Sequence, residues 1–122
     1  IRSRSTYGSE ANLIRSFLTQ ISLNNESTAF ETVDIIENGT FTGQSFANIS
    51  TSNSTIEVDI AGTYTASSGK VLTSYGVQKA GGVINQLVKS LEYSLQSGST
   101  ISLVTSGASN NMTGIITWSE DF

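Results

Sequence analysis

The longest periodic stretch of the chain is Thr73–Gln96, which reads TSYGVQKAGGVINQLVKSLEYSLQ. Its apolar and small residues recur at helical spacing, while Lys79, Lys89 and Glu92 fall mainly on the other side. Ser97-Gly98 follows and is typical of a helix end in the left-handed conformation. The stretch therefore predicts a long amphipathic helix with a stripe made of Val77, Ala80, Gly81, Ile84, Leu87, Val88, Leu91 and Leu95.

A shorter segment, from about Glu10 to Ser22, shows the same spacing. Ser9 is a suitable N-cap, and Glu10 is favourable in a first helical turn. The segment predicts a second amphipathic helix, whose apolar residues are Leu13, Ile14, Phe17, Leu18 and Ile21.

The remaining periodic segments have the composition and alternation of strands. Asn38-Gly39 lies between two such segments and predicts a hairpin, because both turn residues tolerate positive φ. Gly62 interrupts a further segment and predicts a bulge. The strands are predicted at Thr28–Ile36, Thr40–Phe46, Thr55–Thr65, Thr100–Thr105 and Thr113–Trp118.

The element order α-β-β-β-α-β-β predicts an α+β fold. We expect a two-layer sandwich with a mostly antiparallel sheet of about five strands and both helices on one face. A chain of 122 residues is long enough for one core. Residues 1–8 are predicted to be a flexible N-terminal segment, and residues 9–122 a single domain.

Composition favours an extracellular protein. Charged residues make up 13% of the chain, about half the usual share, while Ser and Thr together make up roughly 30%. The chain begins with Ile1 and not with Met, as a processed fragment or a trimmed chain does. The net charge of −4 argues against nucleic acid as a partner, because phosphate binding needs a basic footprint.

The residue inventory excludes many reactions. The chain has no His and no Cys, so Ser-His-Asp and Cys-His nucleophile systems and His- or Cys-based zinc sites are excluded. Glu57 and Asp59 share one face of a predicted strand, which is more typical of a solvated face than of a catalytic pair. Ser67-Ser68-Gly69-Lys70 lies in a turn and lacks the spacing of a phosphate loop. We therefore predict no enzyme activity, no cofactor and no metal.

Five Asn-x-Ser/Thr tripeptides lie in predicted turns, loops or element ends, where glycans could be attached. About three would arise by chance from a composition this rich in Ser and Thr. The five predicted acceptors are Asn25, Asn38, Asn48, Asn53 and Asn111.

Small residues in the first half of the predicted long helix suggest two alternative roles. They would let two helices cross closely, or let an amphipathic face lie on a membrane. This predicted helix-packing or membrane face comprises Gly76, Val77, Ala80, Gly81, Ile84, Leu87, Val88 and Leu91. Scattered aromatic residues, among them Trp118 and Tyr64, fit core or rim packing better than a sugar-binding platform.

Residues 73–120 resemble one known family. A helix ending at Ser97-Gly98, the strand Thr100–Thr105, a Gly/Asn loop and the closing segment Gly114–Trp118 are similar in order to the small secreted killer toxins of yeasts and smut fungi. The resemblance implies an αβ-sandwich with a split βαβ motif and an action on the membranes or channels of competing cells. Several of those toxins are disulfide-bonded, whereas this chain has no Cys.

Two functional hypotheses follow. The first is a secreted, killer-toxin-like protein that acts on a cell-surface component or a membrane. The second is an extracellular structural subunit, of a filament, coat or adhesin, that binds copies of itself through strand edges. Low charge and the absence of Pro leave such edges weakly guarded.

Overall fold

The computed structural model describes residues 1–87, 93–106 and 111–122, and these form an all-β structure. The strands are β1 Arg2–Ser3, β2 Thr6–Tyr7, β3 Glu10–Ala11, β4 Arg15–Asn25, β5 Glu31–Glu37, β6 Phe41–Thr42, β7 Ala47–Asn48, β8 Ile56–Val58, β9 Thr63–Tyr64, β10 Lys70–Val77, β11 Gly82–Leu87, β12 Ser94–Leu95, β13 Ile101–Thr105 and β14 Met112–Asp121.

Two antiparallel sheets carry the core. In the first, β14 pairs with one edge of β4, and β11 and β12 pair with its other edge. In the second, β5 lies between β10 and β13. Buried side chains of both sheets form one hydrophobic cluster, so the sheets pack face to face as a sandwich. The cluster comprises Leu18, Ile21, Leu23, Val33, Ile35, Val77, Leu95 and Ile101 of these two sheets, together with Ile56 of β8.

Three smaller strand groups complete the fold: β1-β8-β7, β2-β3 and β6-β9. β1 is bonded on both sides, because the Ser3 amide donates to Ser99 O at 3.0 Å while Arg2 and Ser3 pair with β8. Residues 1–8, expected to be a flexible segment, thus include a strand that ties β8 to the start of β13.

The predicted α+β class is wrong, since neither predicted helix occurs in the described residues. The first one coincides largely with β4, and a β-bulge explains the error. Gln20 pairs with Thr117 but Leu18 pairs with Trp118, so Thr19 is the extra residue. The bulge turns the strand period of two into a spacing of three between the buried Leu18 and Ile21, which imitates a helix.

The second predicted helix is replaced by β10, β11 and β12. The chain turns between β10 and β11, where Ala80 and Gly81 have φ of 57° and 95°. The pair Gly81-Gly82 has low helix propensity and outweighs the apolar periodicity. The helix that the killer-toxin resemblance requires is therefore absent from the described part, and the αβ-sandwich expected from it is contradicted.

The predicted strands fare better, although one pairing is wrong. β5, β8, β13 and β14 lie within or across the expected segments. Asn38 has a positive φ of 51°, but Gly39 does not have a positive φ, so the predicted two-residue turn does not form. The strands flanking it do not pair with each other: β5 pairs with β10 and β13, whereas β6 pairs with β9.

Candidate functional site

The sandwich is joined on one side and open on the other. The turn at residues 78–81 connects β10 of one sheet to β11 of the other. On the opposite side, the outer strands β13 and β14 are separated by a groove of about 610 Å³. We call this space the groove. Its walls are mostly apolar and include Leu23, Val33, Phe41, Phe46, Val58, Ile60, Leu103, Met112, Ile116 and Trp118.

The two walls approach each other closely at one point. A Cβ on Gly114 of β14 would lie only 2.7 Å from Cδ1 of Leu103 on β13. Leu103 therefore packs directly on the backbone of Gly114, which keeps the groove narrow there. Among the described lining residues the one charged side chain is Asp59, whose Oδ1 accepts a hydrogen bond from the Ala61 amide at 2.8 Å.

β14 is a long strand with little cover. It pairs with β4 over ten register positions, yet none of its residues is buried. Five residues of β4 are buried by contrast. Met112, Ile116 and Trp118 pack against the core cluster but stay half-buried, because the groove lies beside them. A partner that covered these side chains would gain about 25 cal/mol of binding free energy for each Å² of apolar surface removed from water.

The outer edge of β14 carries few of the usual guards against strand pairing, and its charges are confined to one end. We call this the β14 edge. The strand contains no Lys, Arg or Pro, its bulge is on β4, and Ile115 is 56% exposed. Its charged residues, Glu120 and Asp121, stand together at its end.

Glu120 fixes the end of β14 to the segment that precedes β8. Its carboxylate accepts hydrogen bonds from Ser54 Oγ at 2.6 Å, from the Thr55 amide at 2.6 Å and from Thr55 Oγ1 at 2.8 Å. Trp118 Nε1 also donates to it at 3.2 Å. Burial raises the pKa of the carboxyl, but these hydrogen bonds outweigh it and leave the pKa below its ordinary value. Residue Trp118 is thereby oriented at one end of the groove.

The residues of the predicted helix-packing or membrane face are spread over several elements. Gly76 and Val77 lie in β10, Ala80 and Gly81 form the turn, and Ile84 and Leu87 belong to β11. Val77 is buried in the core. The remaining two members, Val88 and Leu91, lie outside the described residues.

The five predicted glycan acceptors differ sharply in access. Asn25 is completely buried, and its side chain donates to Ala29 O and Val77 O while accepting from the amide and hydroxyl of Ser27. Asn38 is exposed, although its Oδ1 accepts from the Thr100 amide at 2.9 Å. The other acceptors, Asn48, Asn53 and Asn111, are exposed.

The carboxylates considered for catalysis do not form a pair. Glu57 bonds to Arg2 at 2.7 Å, while Asp59 lines the groove. Lys70 begins β10, and the hydroxyl of Ser68 is engaged in the preceding turn. In the part of the chain that the structure describes, no group of three acidic residues could hold a metal ion.

The sequence did not bring together the residues that line the groove. Trp118, expected to be a core or rim residue, packs on the rim of the core and lines the groove, whereas Tyr64 lies beside Phe41. The one signal available was the combination of weakly guarded edges with apolar residues in the closing strand.

Comparison with protein-family models, with curated proteins and with solved structures gave no match to this chain. Within the described residues there is no helix long and apolar enough to cross a membrane.

Proposed function

We propose that this chain is a self-assembling structural subunit, acting outside the cell, whose first assembly step is a dimer joined edge to edge along β14. The observation that supports this most strongly is the β14 edge itself. This ten-residue strand is bonded to one neighbour among the described residues, has a half-buried apolar inner face and contains no Lys, Arg or Pro, so it is a template for strand addition.

A second copy is the occupant that the charges favour. Two copies of β14 related by a twofold axis perpendicular to the strand pair antiparallel. Each residue then lies opposite a residue from the other end of β14, and only residues near the axis lie opposite their own copies. Glu120 and Asp121 of one copy then face the uncharged beginning of β14 in the other. A parallel stack would instead place these carboxylates beside their own copies, which is unfavourable.

The groove supports the same arrangement. The axis that pairs β14 with its copy also turns the open side of one groove toward the open side of the other. Met112, Ile116 and Trp118 would then lose their remaining exposure in both copies. Strand hydrogen bonds supply affinity in such an interface, and the apolar rows supply the hydrophobic contribution.

Extracellular location is proposed from the composition, and the toxin hypothesis loses one of its motives. Besides the first residue and the hydroxyl-rich composition, that hypothesis used an amphipathic, glycine-bearing helix, which has no counterpart in the described residues. Assembly needs only the strands that are present, so it is the function we develop.

The test is self-association, measured by sedimentation velocity over a wide range of concentration. Ile115→Lys places like charges near one another across the β14 edge and should weaken association about tenfold, or about 1.4 kcal/mol. Val83→Lys is the matched control, because Val83 is 60% exposed on β11, at the other edge of the same sheet. It should leave association unchanged.

Trp118 offers a second readout, because it is the sole tryptophan of the chain and lines the groove. Its emission should shift to shorter wavelength as copies assemble, in step with the sedimentation data. A protein that stays monomeric at the highest attainable concentration would overturn the proposal. Equal effects of the two Lys variants would also overturn the assignment to β14.

A further inference from the structure

The first residues of the chain bring two cations into one polar pocket, far in the sequence from β14. Arg2 and Arg4 line a depression of about 390 Å³ together with Ser5, Thr6 and Glu57. The whole chain has only six cations and a net charge of −4. Two arginines in one pocket are therefore a local departure from the acidic character of the protein.

Arg2 is already neutralised. Its guanidinium donates to Glu57 Oε2 from Nε at 2.8 Å, with Nη2 at 2.7 Å from the same oxygen. It also lies 4.0 Å from the ring centre of Phe46, a cation–π contact. Glu57 is the sole carboxylate among the described lining residues, and Arg2 occupies it.

Arg4 has no carboxylate partner among the described residues, although its guanidinium carbon lies 5.5 Å from the ring centre of Tyr7, a cation–π contact. Its Nη1 donates to Ser54 O at 3.3 Å and to Ser50 O at 3.5 Å, which are long bonds to neutral carbonyls. Within the described residues the ion pairs are Arg2–Glu57 and Arg15–Asp121, and neither involves Arg4. A guanidinium has five N–H donors, so one engaged nitrogen leaves most of the fork available.

We propose that this pocket binds an oxyanion, a carboxylate or sulfate group of the kind that acidic carbohydrates carry. Arg4 supplies the planar fork that matches such a group, and the hydroxyls of Ser5 and Thr6 supply neutral donors. The Arg2–Glu57 pair forms a wall of the pocket and leaves the net charge of one cation in place. The residues that line this pocket do not include any of β14, so either proposal can fail without the other.

Titration of the ¹⁵N-labelled protein with sodium sulfate, at constant ionic strength balanced by sodium chloride, tests the proposal. Saturable shifts are expected at the Arg4 Nε–H and at the amides of Ser5, Thr6 and Gly98. Arg4→Gln should weaken binding at least about tenfold, the effect of losing one charge-assisted hydrogen bond. Arg15→Gln is the control, because Arg15 is an exposed cation 3.7 Å from Asp121, and it should bind as the wild type does.

Two further arms make every outcome decisive. In the first, the protein is titrated with glucuronate and, as a neutral control, with glucose, and binding of glucuronate alone would extend the site to carboxylate-bearing sugars. Binding of sulfate without glucuronate would restrict the site to sulfate groups. In the second, Arg4→Lys keeps the positive charge but loses the planar set of N–H donors, so it should bind sulfate more weakly than the wild type. This variant replaces Arg4→Gln if Arg4→Gln does not fold. Linear, unsaturable shifts in the wild type, or unchanged binding in the folded Arg4 variant, would overturn the proposal.

Discussion

Thr55 and Glu120 are joined by two hydrogen bonds that link the start of β8 to the end of β14, with the Thr55 amide and hydroxyl both donating to Oε2, at 2.6 and 2.8 Å. Thr55 is fully buried, so its amide and hydroxyl depend on this carboxylate, while its carbonyl oxygen accepts from the Arg4 amide at 2.8 Å. The end of β14 is thereby tied to a residue 65 positions earlier in the chain.

Glu120→Gln should lower the free energy of unfolding at neutral pH by about 1.5 kcal/mol, because charge-assisted hydrogen bonds are replaced by neutral ones. The folded pKa of Glu120 lies below its ordinary value. Its contribution is therefore complete above the ordinary value and is lost as the pH falls through the lowered folded pKa. Urea unfolding should show the gap between wild type and variant narrowing on acidification. Asp121→Asn, at an exposed neighbour, should have little effect, and a gap that widens in acid would contradict this account.

Ala80→Gly should change the stability of the protein in opposite directions if residue 80 lies in a turn and if it lies in a helix. Ala80 has a φ of 57°, which costs an L-residue about 1–2 kcal/mol and costs glycine nothing. After the greater chain entropy of glycine is subtracted, the variant should be more stable by about 0.5 kcal/mol. In a helix interior the same change would destabilise by about 1 kcal/mol. Thermal unfolding decides between them, with Ala47→Gly in strand β7 as a control that should lose stability.

Asn25→Asp should be strongly destabilising. Nδ2 of Asn25 donates to Ala29 O at 3.0 Å and to Val77 O at 3.1 Å, and a carboxylate would turn an acceptor toward both carbonyls. Because the site is fully buried, we expect a loss of about 3 kcal/mol in the free energy of unfolding. Asn53→Asp, at an exposed loop position, should stay within about 0.5 kcal/mol of the wild type in the same measurement.

Glycan attachment should follow the exposure of the acceptors. The four hydrogen bonds of the Asn25 side chain leave no room for a sugar, so folded protein from a glycosylating secretory host should be unmodified at Asn25. Any glycans should occur at Asn38, Asn48, Asn53 or Asn111, which are exposed. Peptide mapping by mass spectrometry is the measurement. A glycopeptide containing Asn25 from natively folded material would show that the buried position is wrong.

Local patterns were sufficient for several strands but failed where the strand period is interrupted. The segments around β5, β8, β13 and β14 alternate or are rich in β-branched residues, and they are strands. Thr19 shifts the register of β4 by one residue, and the pattern around it then matches a helix. In Thr73–Gln96 the apolar spacing matched a helix as well, and the glycines at the turn were the contrary signal.

The groove could not be predicted from local sequence patterns, for a different reason. Leu103 and Gly114 meet because β13 and β14, although consecutive, belong to different sheets. That placement depends on β5 and β4, the strands with which each one pairs. The residues next to β13 and β14 in the sequence do not indicate which strands these two pair with.

The sequence by itself determined which side chains the protein lacks and how few of its residues are charged. The lack of His and Cys, the low charge and the many hydroxyls are properties of composition and need no coordinates. Only the tertiary structure decided that Asn25 is sealed in the core while the β14 edge is open, since burial and edge position arise from pairing between distant segments. The physical reason is that strand hydrogen bonds are made with other strands, whereas helix hydrogen bonds are made within a few residues. An all-β chain therefore places the interactions that define its edges and grooves far apart in sequence.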